Sequence, residues 1–174
     1  MNTNAKVICT LSAPYPELRV ERQNQNYARL LSAAYAGQDG ELVAILMYLY
    51  GENVSKGRAP SALSETLACI AKTEMRHLSM LGELIFMLGG DPRYINMTKR
   101  MGINTAMLPY QTDPLRIVAN AVAAEDKAIK LYESLYRAID DKYIRAVIKR
   151  IIMDEEHHLK IFSEMQSVPV PYRK

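Results

Sequence analysis

The chain is poor in the residues that make the commonest metal sites. It has two cysteines, Cys9 and Cys69, 60 positions apart and outside any CxxC. A zinc ribbon, an all-cysteine iron site and a disulfide scaffold therefore drop out, and both thiols are expected to be reduced. It has three histidines, His77, His157 and His158. Any metal site built on them must complete its shell with carboxylates. Charge of one sign is also scarce: 22 Lys and Arg against 19 Asp and Glu leave a net +3, with no long basic block. A large nucleic-acid-binding face is not expected. The longest strongly apolar run, Leu42 to Tyr50, is nine residues, about half of a membrane span. The apolar patch Val7 to Leu11 is too short for a signal-peptide core. Neither nucleic acid nor membrane is an expected partner, and the cytoplasm is the expected compartment. What remains is 174 residues, 49% apolar and 24% charged, the profile of one soluble globular domain with a real core.

The sequence before residue 24 is irregular, with Pro14 and Pro16 imposing extended backbone. It reads as an N-terminal arm, 1–23. From about Gln25 the pattern is helical. Leu30, Ala34, Gly37, Glu41, Ala44, Ile45 and Tyr48 recur at three- and four-residue steps on one face. Gly51 and the polar run after it end this helix. Pro60 and Ser61 open a second, whose face holds Leu63, Leu67, Ile70, Glu74, His77, Leu81 and Ile85, and Gly89-Gly90 close it. Asp113-Pro114 is a strong start for the third, with an N-cap acid and Pro at the first helical position. Asp140-Asp141 marks a tight junction to the fourth, which carries Ile144, Ile148, Ile151, Glu155, His158, Leu159 and Phe162. The expectation is an all-α four-helix bundle over 24–167 and a C-terminal tail over 168–174. The connector Asp91 to Thr112 is long enough, at about 3.3 Å per residue, to cross the bundle, so helices two and three can run parallel.

Acids and histidines interrupt these apolar faces. Glu41 lies on the first, Glu125 on the third. The second carries Glu74-Met75-Arg76-His77 and the fourth Glu155-Glu156-His157-His158. In each Glu-x-x-His unit the i, i+3 spacing sets carboxylate and imidazole side by side. A competing register, Asp154 with His157, is set aside because Glu155 continues Ile144, Ile148 and Ile151, whereas Asp154 has Arg150 one turn back. Four buried carboxylates without Lys or Arg on the same faces would each cost several kcal/mol if ionised and unpaired. Two divalent cations would neutralise them, with two neutral imidazoles completing the shell. The order Glu, Glu-x-x-His, Glu, Glu-x-x-His, one unit per helix, fits a dinuclear carboxylate centre.

On these residues the chain resembles the ferritin-like superfamily of di-iron and di-manganese carboxylate proteins, including bacterioferritin, rubrerythrin and manganese catalase. The pieces that carry it are Gly40-Glu41-Leu42-Val43-Ala44-Ile45, the two Glu-x-x-His units and Ala124-Glu125-Asp126. The stretch from Pro14-Tyr15-Pro16 to Tyr35-Ala36-Gly37 is similar to the manganese-catalase and spore-coat catalase-like branch. The resemblance implies terminal ligands Glu41 and Glu125, bridging Glu74 and Glu155, and one metal each for His77 and His158. It also implies a role for Asp154, accepting the free N–H of His77 across the bundle, while Thr73 holds the matching position before Glu74. Tyr48 and Tyr132 each follow a glutamate by seven residues. They could be redox tyrosines or hydrogen-bond a ligand, and core packing is the plainer reading. Met75 sits where bacterioferritin-like proteins place a haem-ligating methionine, but with ten methionines in the chain haem is not expected.

Such a shell suits two iron or manganese ions. The expected function is oxidoreduction with O2 or hydrogen peroxide, as a ferroxidase, a peroxidase or a catalase-like enzyme. A full rubrerythrin is excluded because the rubredoxin cysteines are missing, so any electron donor must be a separate molecule. An iron-storage cage is a weaker alternative, since Gln166 to Lys174 leave no room for a fifth helix and a positive chain suits a mineral cavity poorly. A structural or coat protein that keeps metals for stability is the third. A homodimer or small homo-oligomer is the expected assembly.

Overall fold

A computed structural model of the chain describes residues 8–57 and 60–167. The expected C-terminal tail and the first seven residues of the arm lie outside them. Five helices carry the fold: α1 Gln25–Ala36, α2 Glu41–Ser55, α3 Ser61–Met87, α4 Pro114–Ala138 and α5 Lys142–Ser167. Their starts follow local chemistry. The Asn24 side chain accepts the amides of Asn26 and Tyr27, and Asp113 accepts that of Leu115, with Pro114 leading α4. Asp141 accepts the amides of Tyr143 and Ile144 at the start of α5, and also that of Glu21 from the arm. Gly89, at φ +82°, ends α3 in the left-handed region that a side chain would disfavour.

The first expected helix is two. The chain doubles back over the end of α1, so a methyl group on Gly37 would lie 2.2 Å from the Ala33 carbonyl oxygen, and one on Gly40 would lie 2.3 Å from that of Ala34. The glycines that fitted a helical pattern mark its break. Glu41 becomes the first residue of α2, where the helix dipole favours a carboxylate. The crossover between α3 and α4 is also not featureless. It holds a two-residue antiparallel pair, β1 Ile95–Asn96 with β2 Met101–Gly102, and a 3-10 turn at Thr105–Met107.

Two apolar clusters fix the helix directions. One gathers α1 with Met80 to Ile85 of α3 and Leu88 just past it, Tyr132 and Leu135 of α4, and Ile144 to Ile151 of α5. The other gathers Tyr48 of α2, Leu63 to Ala71 of α3, Ile117 to Ala121 of α4 and Phe162 of α5. Thus α3 and α4 both run from the second cluster to the first, and are parallel, while α1–α2 and α5 run the other way. The crossover does span the bundle. Between the clusters lie Glu41, residues 74–77, Glu125 and residues 154–158. Among the described residues no helix is long and apolar enough to cross a membrane.

The arm overturns the expectation of reduced thiols. Cys9 and Cys69 form a disulfide with Cα atoms 5.9 Å apart. Sequence separation concealed this because the irregular arm lies across the outer surface of α3, where Thr10 meets Thr73 at 2.7 Å. Replacing Cys69 by Ser should lower stability by about 2–4 kcal/mol, read from urea unfolding, with reductant producing the same loss in the unaltered chain. An unchanged midpoint in both would contradict a stabilising role for this staple.

Candidate metal centre

Glu41, Glu74, His77, Glu125, Glu155 and His158 are all at most 4% exposed. They form two overlapping groups. Glu41, Glu74, His77 and Glu155 bring ligand atoms within 4.8 Å of one another, and so do Glu74, Glu125, Glu155 and His158. Glu74 and Glu155 belong to both. Nδ1 of His77 stands 3.0 Å from Glu74 Oε2, 3.1 Å from Glu155 Oε1 and 3.7 Å from Glu41 Oε1. Nδ1 of His158 stands 3.0 Å from Glu74 Oε1, 3.4 Å from Glu155 Oε2 and 3.9 Å from Glu125 Oε1.

The outer nitrogens settle the tautomers. Nε2 of His158 lies 2.8 Å from the carbonyl oxygen of Cys9, which can only accept, so this nitrogen carries hydrogen. Nε2 of His77 lies 3.2 Å from Asp154 Oδ2 and 3.2 Å from the Tyr15 hydroxyl. Tyr15 donates to Asp154, leaving the imidazole N–H to face the carboxylate. In a neutral ring, each Nδ1 then presents a lone pair to a nest of carboxylate oxygens. That arrangement is repulsive unless a proton or a cation lies between. Glu74 Oε1, Glu155 Oε1 and His158 Nδ1 are buried without an aligned hydrogen-bond partner. The donor set, four carboxylates and two imidazoles, suits a pair of divalent cations such as iron or manganese.

Four of the six groups hold protons more tightly than usual. Burial pushes the Glu41 carboxyl well up, reinforced by the charges of Glu74 and Glu155, and burial with the charges of Glu155 and Glu74 does the same to Glu125. Burial alone would lower His77, but its bonds to Asp154, Glu155 and Glu74 together raise it well above its ordinary value. His158 follows the same pattern, burial being overcome chiefly by the Glu74 charge and the bonds to Glu155 and Glu74. Glu155 and Glu74 are held below the usual carboxylate range, the two imidazoles overcoming burial. Metal ligands must shed their protons, so cation uptake should release protons.

The tyrosines pair crosswise. Tyr48 on α2 donates to Glu125 on α4, and Tyr132 on α4 donates to Glu41 on α2. Seven residues along a helix is about 10 Å, too far for either to reach its own glutamate. Burial, then the adjacent carboxylates, push both phenols well above their ordinary value of 10, so they stay protonated donors. Thr73 meets Thr10 rather than an imidazole, and the Cys9 carbonyl takes the position opposite His158. Met75 is 42% exposed and joins no part of the cluster. His157 turns outward to the Ile8 carbonyl at 2.7 Å.

Arg150 and Tyr15 had no part in the sequence-level site. Arg150 is 4% exposed and its Nη1 lies 2.6 Å from Asp154 Oδ2. It also donates to the carbonyls of Ala13 and Leu11, and so fastens the arm. The Tyr15 ring lies between the guanidinium groups of Arg76 and Arg150, 4.0 and 4.2 Å from its centroid. On the other side of the bundle, a cavity of about 400 Å³ opens between the α1–α2 turn, the crossover hairpin and α4, and reaches Glu41, Glu74, Glu125 and Glu155.

Residues 37–167 match the family model described as a ferritin-like domain. The chain is 27% identical over 168 residues to a probable manganese catalase of Clostridium acetobutylicum, covering 85% of this chain and 73% of that one. It is 26% identical over 170 residues to protein CotJC of Bacillus subtilis, covering 86% and 87%. Among solved structures, KatB, a manganese catalase from Anabaena, aligns with a TM-score of 0.81 at 21% identity over 94% of this chain and 84% of that one. Rhodobacter capsulatus bacterioferritin aligns with a TM-score of 0.72 at 20% identity over 84% and 86%. At such identities the two structures speak for the fold alone.

Proposed function

The chain belongs to the ferritin-like domain family, and from that premise we propose that it is a dinuclear-metal oxidoreductase that disproportionates hydrogen peroxide. The observation that carries this reading is the pair of overlapping buried groups sharing Glu74 and Glu155, with a cavity leading to them. Glu41 and His77 would hold one ion, Glu125 and His158 the other, and Glu74 and Glu155 both. Two manganese ions are the first choice, because the Clostridium relative is a probable manganese catalase. When bound, the pair supplies two coupled redox centres able to exchange two electrons with peroxide.

The chain's own groups do the rest. Tyr132 donates to one oxygen of Glu41 and Tyr48 to one of Glu125, fixing two carboxylates that line the cavity. Asp154 and the Cys9 carbonyl hold Nε2–H of the two imidazoles, keeping both Nδ1 lone pairs inward. Apolar clusters pack on both sides of the centre, and the cavity reaches its four glutamates. The overall change, two hydrogen peroxide to two water and one O2, balances in protons and electrons within the two substrate molecules. It therefore needs no separate electron donor, whereas a peroxidase requires one and a ferroxidase draws its electrons from its Fe(II) substrate.

Metal analysis of protein purified without added metal, paired with a Clark-electrode assay, tests this. Two manganese per chain and O2 release at half the rate of peroxide loss are expected. Iron with peroxide loss that depends on Fe(II) and releases no O2 would replace the catalase reading with a ferroxidase or peroxidase one.

A further inference from the structure

The two halves of the centre share most of their contacts but differ at the outer side of the imidazoles. Each has a terminal glutamate held by a phenol from the opposite helix, a share of Glu74 and Glu155, and an inward-facing Nδ1. They differ in what accepts the outer N–H of the imidazole. His77 faces a carboxylate oxygen, Asp154 Oδ2, at 3.2 Å, while His158 faces a peptide oxygen, Cys9 O, at 2.8 Å. Asp154 is fully buried. It is fixed by Arg150, by the Tyr15 hydroxyl and by the Leu11 amide at 3.1 Å. Arg150 offsets the charge of this carboxylate without touching the ring. The atom that accepts the His77 N–H is still a carboxylate oxygen.

A carboxylate acceptor raises the basicity of a ligating imidazole and orients it more firmly than a neutral carbonyl does, and such outer partners are typically worth 10–100-fold in metal affinity. We propose that Asp154, locked by Arg150 and the N-terminal arm, is a positioning residue that makes the two metal positions unequal, so that the Glu41–His77 position fills first. This rests on the reading of the cluster as a dinuclear metal centre. The arm thereby acquires a role in the centre, since Tyr15 and the Leu11 amide set the orientation of Asp154 and the Cys9 carbonyl holds His158.

Manganous ion titrated into metal-free full-length protein, with isothermal calorimetry and anomalous diffraction from crystals loaded with one equivalent, tests the proposal. Two ions should bind at saturation, the tighter at Glu41–His77, with affinities apart by less than the roughly 10–100-fold that losing an outer partner altogether typically costs. At one equivalent the anomalous signal should concentrate at Glu41–His77. Asp154→Asn should bring the two affinities together by weakening only that position. Equal occupancies, or preferential filling beside His158, would overturn the proposal while leaving the dinuclear centre standing. Equal weakening of both positions by Asp154→Asn would likewise overturn it, by showing a purely structural role. Fewer than two ions at saturation would remove the metal-centre reading itself, and the proposal with it.

Discussion

Glu74→Gln should cost the protein both metal ions, whereas Glu41→Gln or Glu125→Gln should each cost one. Glu74 belongs to both ligand groups, and each terminal glutamate to only one. Gln keeps the volume of the side chain, so the packed layers on either side need not collapse, but it removes the charge that bridges two cations. Glu155→Gln should behave like Glu74→Gln for the same reason. Metal content after gel filtration checks the pattern, with circular dichroism confirming that the helices persist. Two ions retained by both shared-glutamate variants would sink the assignment of the bridge. Loss of a shared ligand should also abolish peroxide turnover, since the proposed chemistry uses the pair together.

The second large effect is a reversal of pH dependence on metal loading. In the metal-free protein His77, His158, Glu41 and Glu125 all hold protons more tightly than they would unfolded. The folded state therefore binds more protons than the unfolded one. Stability from these groups is complete below their ordinary values, 4.5 for the two carboxyls and 6.5 for the imidazoles, and is lost as pH rises through their higher folded values. Glu74 and Glu155 act oppositely, since their contribution is present above 4.5 and fades as pH falls through their lowered values. The melting temperature of the metal-free chain should thus begin to decline above about pH 4.5, through Glu41 and Glu125, and fall more steeply above about pH 6.5, where the imidazoles join. With metal the ligands must be deprotonated, so affinity grows with pH. At a thousandfold excess over Kd each ion adds about 4 kcal/mol. Melting curves across pH 6 to 9, with and without manganous ion, should diverge. Parallel curves would contradict the exchange of protons for cations at this cluster.

The six inward residues were legible because helical spacing is a one-dimensional property. Glu74 with His77 and Glu155 with His158 must share a face whatever else the chain does, and apolar neighbours one turn away fixed which face. Asp113-Pro114 marked the start of α4 for an equally local reason. The break between α1 and α2 was hidden because Gly37 and Gly40 fit a helical stripe by position. Only the close approach of the chain to the Ala33 and Ala34 carbonyls shows why they are glycines.

The arm was the larger omission. Its contacts to Asp154, His77 and His158 run over more than sixty positions of sequence and include a peptide carbonyl, which has no sequence signature. Arg150, one turn before Asp154, served in the sequence only to set aside the Asp154–His157 register. In the fold both residues are buried because the arm covers them. The tyrosines were placed on the correct faces, but each serves the glutamate of the neighbouring helix, and that depends on how α2 and α4 meet.

The central claim is that two cations share Glu74 and Glu155 inside one chain. Electron paramagnetic resonance of the protein loaded with two equivalents of manganous ion reads this directly. Two ions bridged by common carboxylates are magnetically coupled, and the account predicts a broad, temperature-dependent multiline spectrum from the coupled pair. A simple six-line spectrum from isolated ions, unchanged in form between one and two equivalents, would contradict it.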